Sequence, residues 1–567
     1  MNEENASYLN DGAEVGTGRT RLLISLVQVF AGLVLLAALV WPVCALVVST
    51  VSASPSISDA GKPPVASGVG GDVGPIPLFD TRLYLLLGKT LGLVLPATLL
   101  STVLGGLGAV CLVRSPLRGR ALLFGGMLAV LLCSPMVYAF SWNGVLSRVV
   151  PRSVPAQKII LSDNAPPPAA PLVQPSTFGP SMRCVLYWSL WAWPVSAIAL
   201  AWGWIGRGRA CVEAASLDTT YVQAFIRVLL RAMLPWLLVP AMVTAILLLN
   251  DYAVPHACGL IVYGTELLAW SSRSADPLDA LLPAVPQFGL LILLSIPAWW
   301  AGKVMLSAEL ARHGRSGVAS AWWLAAGVLL LSAVWLVPVG LLVARLGSLD
   351  ALSEAWRVYG YDVGVTLGLA WAAGVASVLA GVGLGARRIG VAVLSLWLLF
   401  GLLPGSLVGV SMIAAYNRPW MFWIYDGPFI VFLAYVARYG WIGFISGMVM
   451  HADRSKRVAD QAAVDGADGW QTAWWIQRPQ FAPFLLGASF IVAALSVGDV
   501  TASSLVRSPA FSPVPHIMIE KFHRFEDAML VSLALFVAAS AIPAALSFWF
   551  YLRVSGSMYG GSHDAHR

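Results

Sequence analysis

Charge is what this chain has least of. Of its 567 residues only 11% are Asp, Glu, Lys or Arg, whereas 58% are hydrophobic and the mean hydropathy is +0.77. A water-soluble globule of this size would expose large apolar patches with such a composition, which excludes a soluble enzyme or soluble binding domain. Cysteine is scarce as well. The six (Cys44, Cys111, Cys133, Cys184, Cys211 and Cys258) lie in the first half of the chain without C-x-x-C spacing, and read as small packing residues. A phosphate-binding loop is missing. Gly88-Lys89-Thr90 ends like one, but the motif requires glycine at position 83 and the chain has Leu83. None of the seven histidines forms H-E-x-x-H, and His516 with His523 sits apart from clustered Cys or carboxylates. No Ser-His-Asp or paired-carboxylate constellation is readable from positions. No nucleotide site, metal centre, resident cofactor or catalytic residue is expected.

What the chain does have is apolar runs of roughly 20 residues, the length that crosses a ~30 Å hydrocarbon core. About twelve recur, at 22–49, 84–113, 121–142, 185–206, 234–254, 284–306, 320–345, 362–386, 390–414, 428–450, 484–505 and 528–552. They are too long and too uniformly apolar for barrel strands. The expected fold is an all-α polytopic membrane protein. The first run, about 28 residues, exceeds the ~7–15 of a cleavable signal and reads as a retained anchor. Placing both termini inside makes Arg114, Arg118, Arg120, Arg207, Arg209, Arg387, Arg388, Arg454, Lys456 and Arg457 cytoplasmic. The formal charge of +7 is then mostly positive-inside bias, and no nucleic-acid partner is expected.

The chain also repeats itself. Ala214-Ala215 matches Ala462-Ala463, Gln223 matches Gln471, Pro235 matches Pro483 and Asp251 matches Asp499, each 248 residues apart. Near the start of each half TLGL at 90–93 recurs at 366–369, an offset of 276. The surplus falls in the Pro-rich stretch 151–180, which the second half replaces with the shorter 417–428. Two homologous six-helix halves follow. They are parallel repeats, because six is even, with a path expected between them. The expected division is a tail at 1–21, a first half at 22–315, a second at 316–555 and a tail at 556–567.

Between the fourth and fifth spans of each half lies a polar segment, 207–233 and 451–483. The first overlaps VEAASLDTTYVQAFIRVLLRAMLP (212–235), and the second holds VADQAAVDGADGWQTAWWIQRPQFAP (458–483). Each reads as two short helices around a break, with Gly466 making the turn in the second. Ala462 and Ala463 leave room for another backbone. Glu213-Ala214-Ala215 and DQAAVDGADGWQTAWWIQRP resemble the EAA loop of binding-protein-dependent ABC importer permeases. The resemblance covers nearly the full chain. LLLNDYAVPHACG (247–259) and LSVGDVTASSLVRSPAF (495–511) look like a signature of the fused ferric-iron and thiamine permeases. The first copy departs from the pattern with Asp218 where the second has Gly466 and Arg231 where it has Pro479, and the second carries Asp460 in the acidic place.

The resemblance implies a type I ABC importer permease fold in a bacterial cytoplasmic (inner) membrane, embedded in lipid and without a nucleotide site of its own. Its partners would be an external solute-binding protein and two copies of a cytoplasmic ABC ATPase. The ATPases would grip Glu213, Ala214, Ala215 and Asp218 in one loop and Asp460, Ala462, Ala463 and Gly466 in the other. Ferric iron is the first substrate expected, thiamine the second, and polyamine, sulfate or phosphonate stay open. Three intramembrane charges stand out: Asp251, Asp499 and Arg438. The two acids either form a negative ring on the path, suited to a hard cation, or serve as helix caps or salt-bridge partners. Arg438 snorkels, pairs with an acid or touches substrate. An ATPase-independent secondary transporter or channel is the alternative, and a membrane-embedded enzyme a third.

Overall fold

The computed structural model describes residues 25–52, 81–149, 178–204, 230–273, 281–307, 320–385, 388–449, 460–468, 471–508, 511–524 and 526–540, with positions 217, 220, 223 and 542. Among these residues the secondary structure is helical, apart from one isolated bridge between Ser508 and Phe511. A chain this apolar must form helices in lipid, where each backbone N–H and C=O finds its partner only within its own segment.

In chain order α1 (Ser25–Leu46) is followed by α2 (Thr81–Arg114), α3 (Leu117–Leu132), α4 (Pro135–Val149) and α5 (Phe178–Gly203). Next come α6 (Leu230–Leu249), the short α7 (Ala253–Ala257), α8 (Tyr263–Arg273) and α9 (Val285–Ser307). The chain continues through α10 (Ala321–Arg345), α11 (Leu349–Leu384), α12 (Arg388–Leu402), α13 (Gly405–Tyr416) and α14 (Phe429–Val449). Last are α15 (Arg478–Val497), the short α16 (Thr501–Leu505), α17 (Val514–His523) and α18 (Asp527–Ser540).

Six of these, α1, α2, α5, α10, α11 and α14, are each long and apolar enough to cross a bilayer, and two bent pairs raise the number to eight. The protein is therefore a helical multi-pass membrane protein. Shorter apolar helices at Met233–Leu249, Leu282–Pro297, Leu485–Val497 and Asp527–Ser540 occupy the positions of the other four spans expected from the sequence. The outer surface is apolar, with Leu85, Leu99, Trp322 and Leu329 each between 69% and 84% exposed, as suits a lipid-facing bundle. Along α14 72% of the apolar window is buried, against 22% for α10, so α14 is central and α10 peripheral.

Several expected spans differ from the structure. Those at 121–142 and 390–414 are not continuous helices: α3 turns into α4 by 87° and α12 into α13 by 110°. Proline causes both bends. Pro135 and Pro404 bias the residue before them away from helical geometry and cannot supply the missing N–H. The runs at 234–254 and 484–505 end their helices at Leu249 and Val497, where Asn250-Asp251 and Gly498-Asp499 interrupt them. The span at 362–386 starts as early as Leu349, because Asp350, Glu354 and Arg357 mask its opening turns from a hydropathy criterion.

The 248-residue spacing extends to element boundaries. Helices α6 and α15 end 248 residues apart, at Leu249 and Val497. The five-residue α7 and α16 begin at Ala253 and Thr501. The TLGL threonines have matching partners. Thr90 Oγ1 accepts from the N–H of Tyr263 at the start of α8 (3.0 Å), and Thr366 Oγ1 from that of Val514 at the start of α17 (3.2 Å). Gly88-Lys89-Thr90 itself lies inside α2, in helix and not in a loop.

Packing crosses the chain midpoint. On α1, Trp41 Nε1 donates to Ala415 O of α13 (3.1 Å), and Tyr416 OH donates back to Ala37 O (2.5 Å). On α10, Val334 O accepts from Tyr138 OH of α4 (2.7 Å), and the Arg345 guanidinium donates to Phe140 O (3.3 Å). Small residues let the long helices close up. Gly105 and Gly108 of α2 lie against Trp193, Ser196 and Ala197 of α5. Gly443 and Gly447 of α14 lie against Ser377 through Val382 of α11, where a Cβ would collide with backbone.

Candidate functional site

Four helix breaks converge on the buried Arg438. The α6–α7 break supplies Asn250 and Asp251, the α15–α16 break Gly498 and Asp499, the α3–α4 break Pro135, and the α12–α13 break Gly405. All but Gly405 line one cavity of about 40 Å³, together with Arg438 and Tyr439 from the middle of α14. That volume holds a few waters and no organic solute. Irregular backbone at membrane depth is tolerated where it lines such a cavity, and ionisable groups there mark functional sites.

The two acids sit at matched positions in matched turns. Asp251 N donates to Leu248 O (3.2 Å) and Asp499 N to Ser496 O (3.1 Å). Each side chain then caps the short helix after it: Asp251 Oδ1 accepts from Ala253 N (3.0 Å), and Asp499 Oδ1 from Ala502 N (3.3 Å). Their other partners differ. Arg438 Nη1 meets Asp499 Oδ1 at 2.6 Å, with side chains 5% and 1% exposed. Thr501 Oγ1 donates to the same carboxylate oxygen (2.8 Å) and is itself contacted by Arg438. Asp251 Oδ2 accepts from Trp188 Nε1 of α5 (2.7 Å).

The acids are therefore not equivalent walls of a bare negative ring. One is neutralised by Arg438, the other held by a neutral indole donor, which leaves one formal negative charge in the cluster when all three groups are ionised. Two acceptors remain open: Asp499 Oδ2 and Gln287 Oε1 are buried without a hydrogen-bond partner. Gln287 reaches the site through Leu249 O (3.0 Å) and Asn250 Oδ1 (3.4 Å), and Arg438 Nη2 through Asn250 O (3.4 Å). Gly405 leaves room for this contact, since a Cβ there would overlap Arg438 and Thr501.

Trp188, Gly405, Thr501 and Gln287 are members of this site that the sequence did not single out. Trp188 had one available signal, its position in the fourth apolar run, as Arg438 lies in the tenth. Gly405 follows a Pro in an apolar run, which marks a break but not what packs against it.

A second polar feature lies at 460–477, before α15. Its first helix, described from Asp460 onward, closes in a Schellman motif: Ala467 N donates to Ala462 O (2.9 Å) and Gly466 N to Ala463 O (3.1 Å), with Gly466 at φ +83°. A capping box then opens the next turn, Asp468 Oδ1 accepting from Gln471 N (2.6 Å) and Gln471 Oε1 from Asp468 N (3.1 Å). Ala462 is buried; Asp460, Ala463 and Gly466 are exposed, and Val464 and Trp475 stand out at 87% and 73% exposed. Asp499 lies at the far end of α15 from this turn. In the earlier loop Glu213, Ala214, Ala215 and Asp218 lie outside the described residues, while Leu217 is 86% exposed.

A third cluster is made where α7 meets α17. His256 Nε2 and His523 Nε2 are 3.0 Å apart, and burial together with the facing His523 ring lowers the His256 pKa from its usual value.

The fold and site define a class: a helical multi-pass membrane protein with a buried, partly neutralised acidic cluster at converging helix breaks. No protein-family model, curated protein or solved structure matches the chain.

Proposed function

We propose that the chain is the transmembrane permease subunit of a binding-protein-dependent ABC importer, supplying both six-span halves, with ferric iron as the first candidate cargo. The observation that carries this reading is the exposed helix–turn–helix at 460–477. Its Schellman closure and capping box make it a pre-formed knob, and a polar counterpart precedes it by 248 residues in the sequence. An amphipathic surface helix would suffice for anchoring to headgroups, but duplication at matched positions suits docking by a pair of identical motors. The matched ends of α6 and α15 and the matched bounds of α7 and α16 support the two-half organisation.

In this reading the knobs, the chain termini and two ABC ATPases lie on the cytoplasmic side of a bacterial inner membrane. A solute-binding protein delivers cargo from outside. ATP binding draws the ATPases together, and α15 carries the displacement from the knob at one end to Asp499 at the other. Opening the roughly 40 Å³ cavity requires the three breaks that line it to separate. The carboxylate oxygens of Asp251 and Asp499 are the donors a hard cation prefers. Thiamine and polyamines remain alternative cargoes, to be decided by which ligand the partner solute-binding protein binds.

The test is a reconstituted transporter in which Glu213 and Gly466 are both replaced by Trp. Hydrolysis uncoupled from uptake, with normal membrane insertion, is expected; unaltered uptake sinks the docking role. A second reading, an ATPase-independent secondary transporter, draws on the buried Arg438–Asp499 pair beside Asp251. Uptake driven by an ion gradient in vesicles that lack any ATPase would favour it.

A further inference from the structure

We infer that His256 and His523 form a surface site for a divalent transition cation, one that ties the segment after Asp251 to the segment after Asp499. The inference does not depend on the transport reading. It rests on three observations.

The first is geometry. The two Nε2 atoms lie 3.0 Å apart. With metal–nitrogen bonds of about 2.05 Å, that separation subtends about 94° at a shared ion, toward which both rings, whose centroids are 5.1 Å apart, tilt from their present facing contact. Such an angle is that of adjacent positions in a square-planar or octahedral shell, the preference of Cu²⁺ and Ni²⁺. A tetrahedral ion would need the rings to part by about 0.3 Å.

The second is the tautomer. His523 Nδ1 lies 2.9 Å from Ile519 O, one turn earlier in α17. A carbonyl can only accept, so Nδ1 carries a proton, and in the neutral ring Nε2 keeps its lone pair. This is how a metal-binding imidazole is commonly oriented. In the ion-free protein His256 Nε2–H donates to that lone pair. When the ion enters, His256 places its proton on Nδ1, so both rings bind as neutral ligands and no net proton is gained or lost.

The third is position. His256 belongs to the last turn of α7 and His523 to that of α17, 267 residues apart in sequence. His256 is half-buried and His523 exposed, so an ion reaches the pair from solvent and water completes its shell. Phe522 packs at 6.3 Å from the His256 ring and Tyr252 at 6.2 Å, which restricts the ring's rotation. The nearby His516 is unsuited, because Arg507 Nη1 donates to its Nε2 at 2.7 Å.

The test uses the full chain in detergent without a polyhistidine tag, carrying His563→Ala and His566→Ala so that the terminal HDAHR stretch cannot compete. Cu²⁺ is titrated and followed by electron paramagnetic resonance. One equivalent with a two-nitrogen signature is expected, with His523→Gln and His256→Gln each weakening binding at least tenfold. His516→Gln should leave it unchanged. Circular dichroism and monodispersity verify folding; should one Gln variant misfold, the other carries the comparison. Absence of stoichiometric Cu²⁺, or binding that survives both substitutions, overturns the inference and leaves an inter-histidine hydrogen bond only.

Discussion

Replacing Arg438 by Met tests the buried cluster most sharply. The substitution removes the charge that faces Asp499 at 2.6 Å while keeping an unbranched apolar stem. At an effective dielectric constant of 20 the lost attraction is about 6 kcal/mol gross. Removing one member of a buried pair costs about 3–5 kcal/mol net, because the remaining ion is uncompensated. The upper part of that range applies here, since Asp499 is 1% exposed and its Oδ2 already lacks a partner. The double variant Arg438→Met/Asp499→Leu removes the stranded charge and should recover all but about 1 kcal/mol, the cost of the lost α16 cap. As a reference, Arg82→Met breaks a 3.4 Å pair with Glu266 in which Arg82 is 68% exposed, and should cost less than about 1 kcal/mol. Equilibrium unfolding in detergent of these variants and of Asp499→Leu, beside the unaltered protein, closes the cycle. A cost for Arg438→Met no greater than for Arg82→Met would refute the reasoning, as would a double variant no more stable than the single.

Three further outcomes follow from the same geometry. Trp188→Phe removes the indole donor to Asp251 and should cost about 1.5–3 kcal/mol in the same unfolding assay, as a hydrogen bond to a charged group does. Gly405→Ala, whose added methyl overlaps Arg438 and Thr501, should cost about 1–3 kcal/mol, and less once Arg438 is already Met. Gly466→Ala should destabilise the 460–477 turn by about 1–2 kcal/mol through φ alone, because a Cβ there meets open space. Gly466→Asn should be milder, and hydrogen exchange of residues 462–467 reads the difference.

Much of the architecture was legible because lipid leaves a chain few options. Apolar runs of sufficient length had to be helices, and the 248-residue spacing of Asp251 and Asp499 reappears in the ends of α6 and α15. Gly466 reads as a turn from its type and the helical patterns on either side, and it has φ +83°. The site was legible only in part. Asp251, Asp499 and Arg438 are conspicuous as charges in apolar sequence. That Arg438 chooses Asp499 and leaves Asp251 to Trp188 depends on which break lies beside α14, a tertiary fact with no local signature. The bends after α3 and α12 were hidden because Pro135 and Pro404 lie in runs whose hydropathy is uninterrupted. The pairing of His256 with His523 was hidden for the opposite reason: the two are 267 residues apart, and only the approach of α7 to α17 brings them together.

The central claim, that the polar knobs are gripped by ABC ATPases, is tested most directly by site-specific photocrosslinking in cells from position 464, where Val464 is 87% exposed. With a benzophenone side chain at that position, the account predicts one predominant adduct, identified by mass spectrometry as an ABC ATPase and lost on addition of a bulky residue at position 466. Adducts to lipid alone, with the chain still inserted and active in uptake, would contradict it.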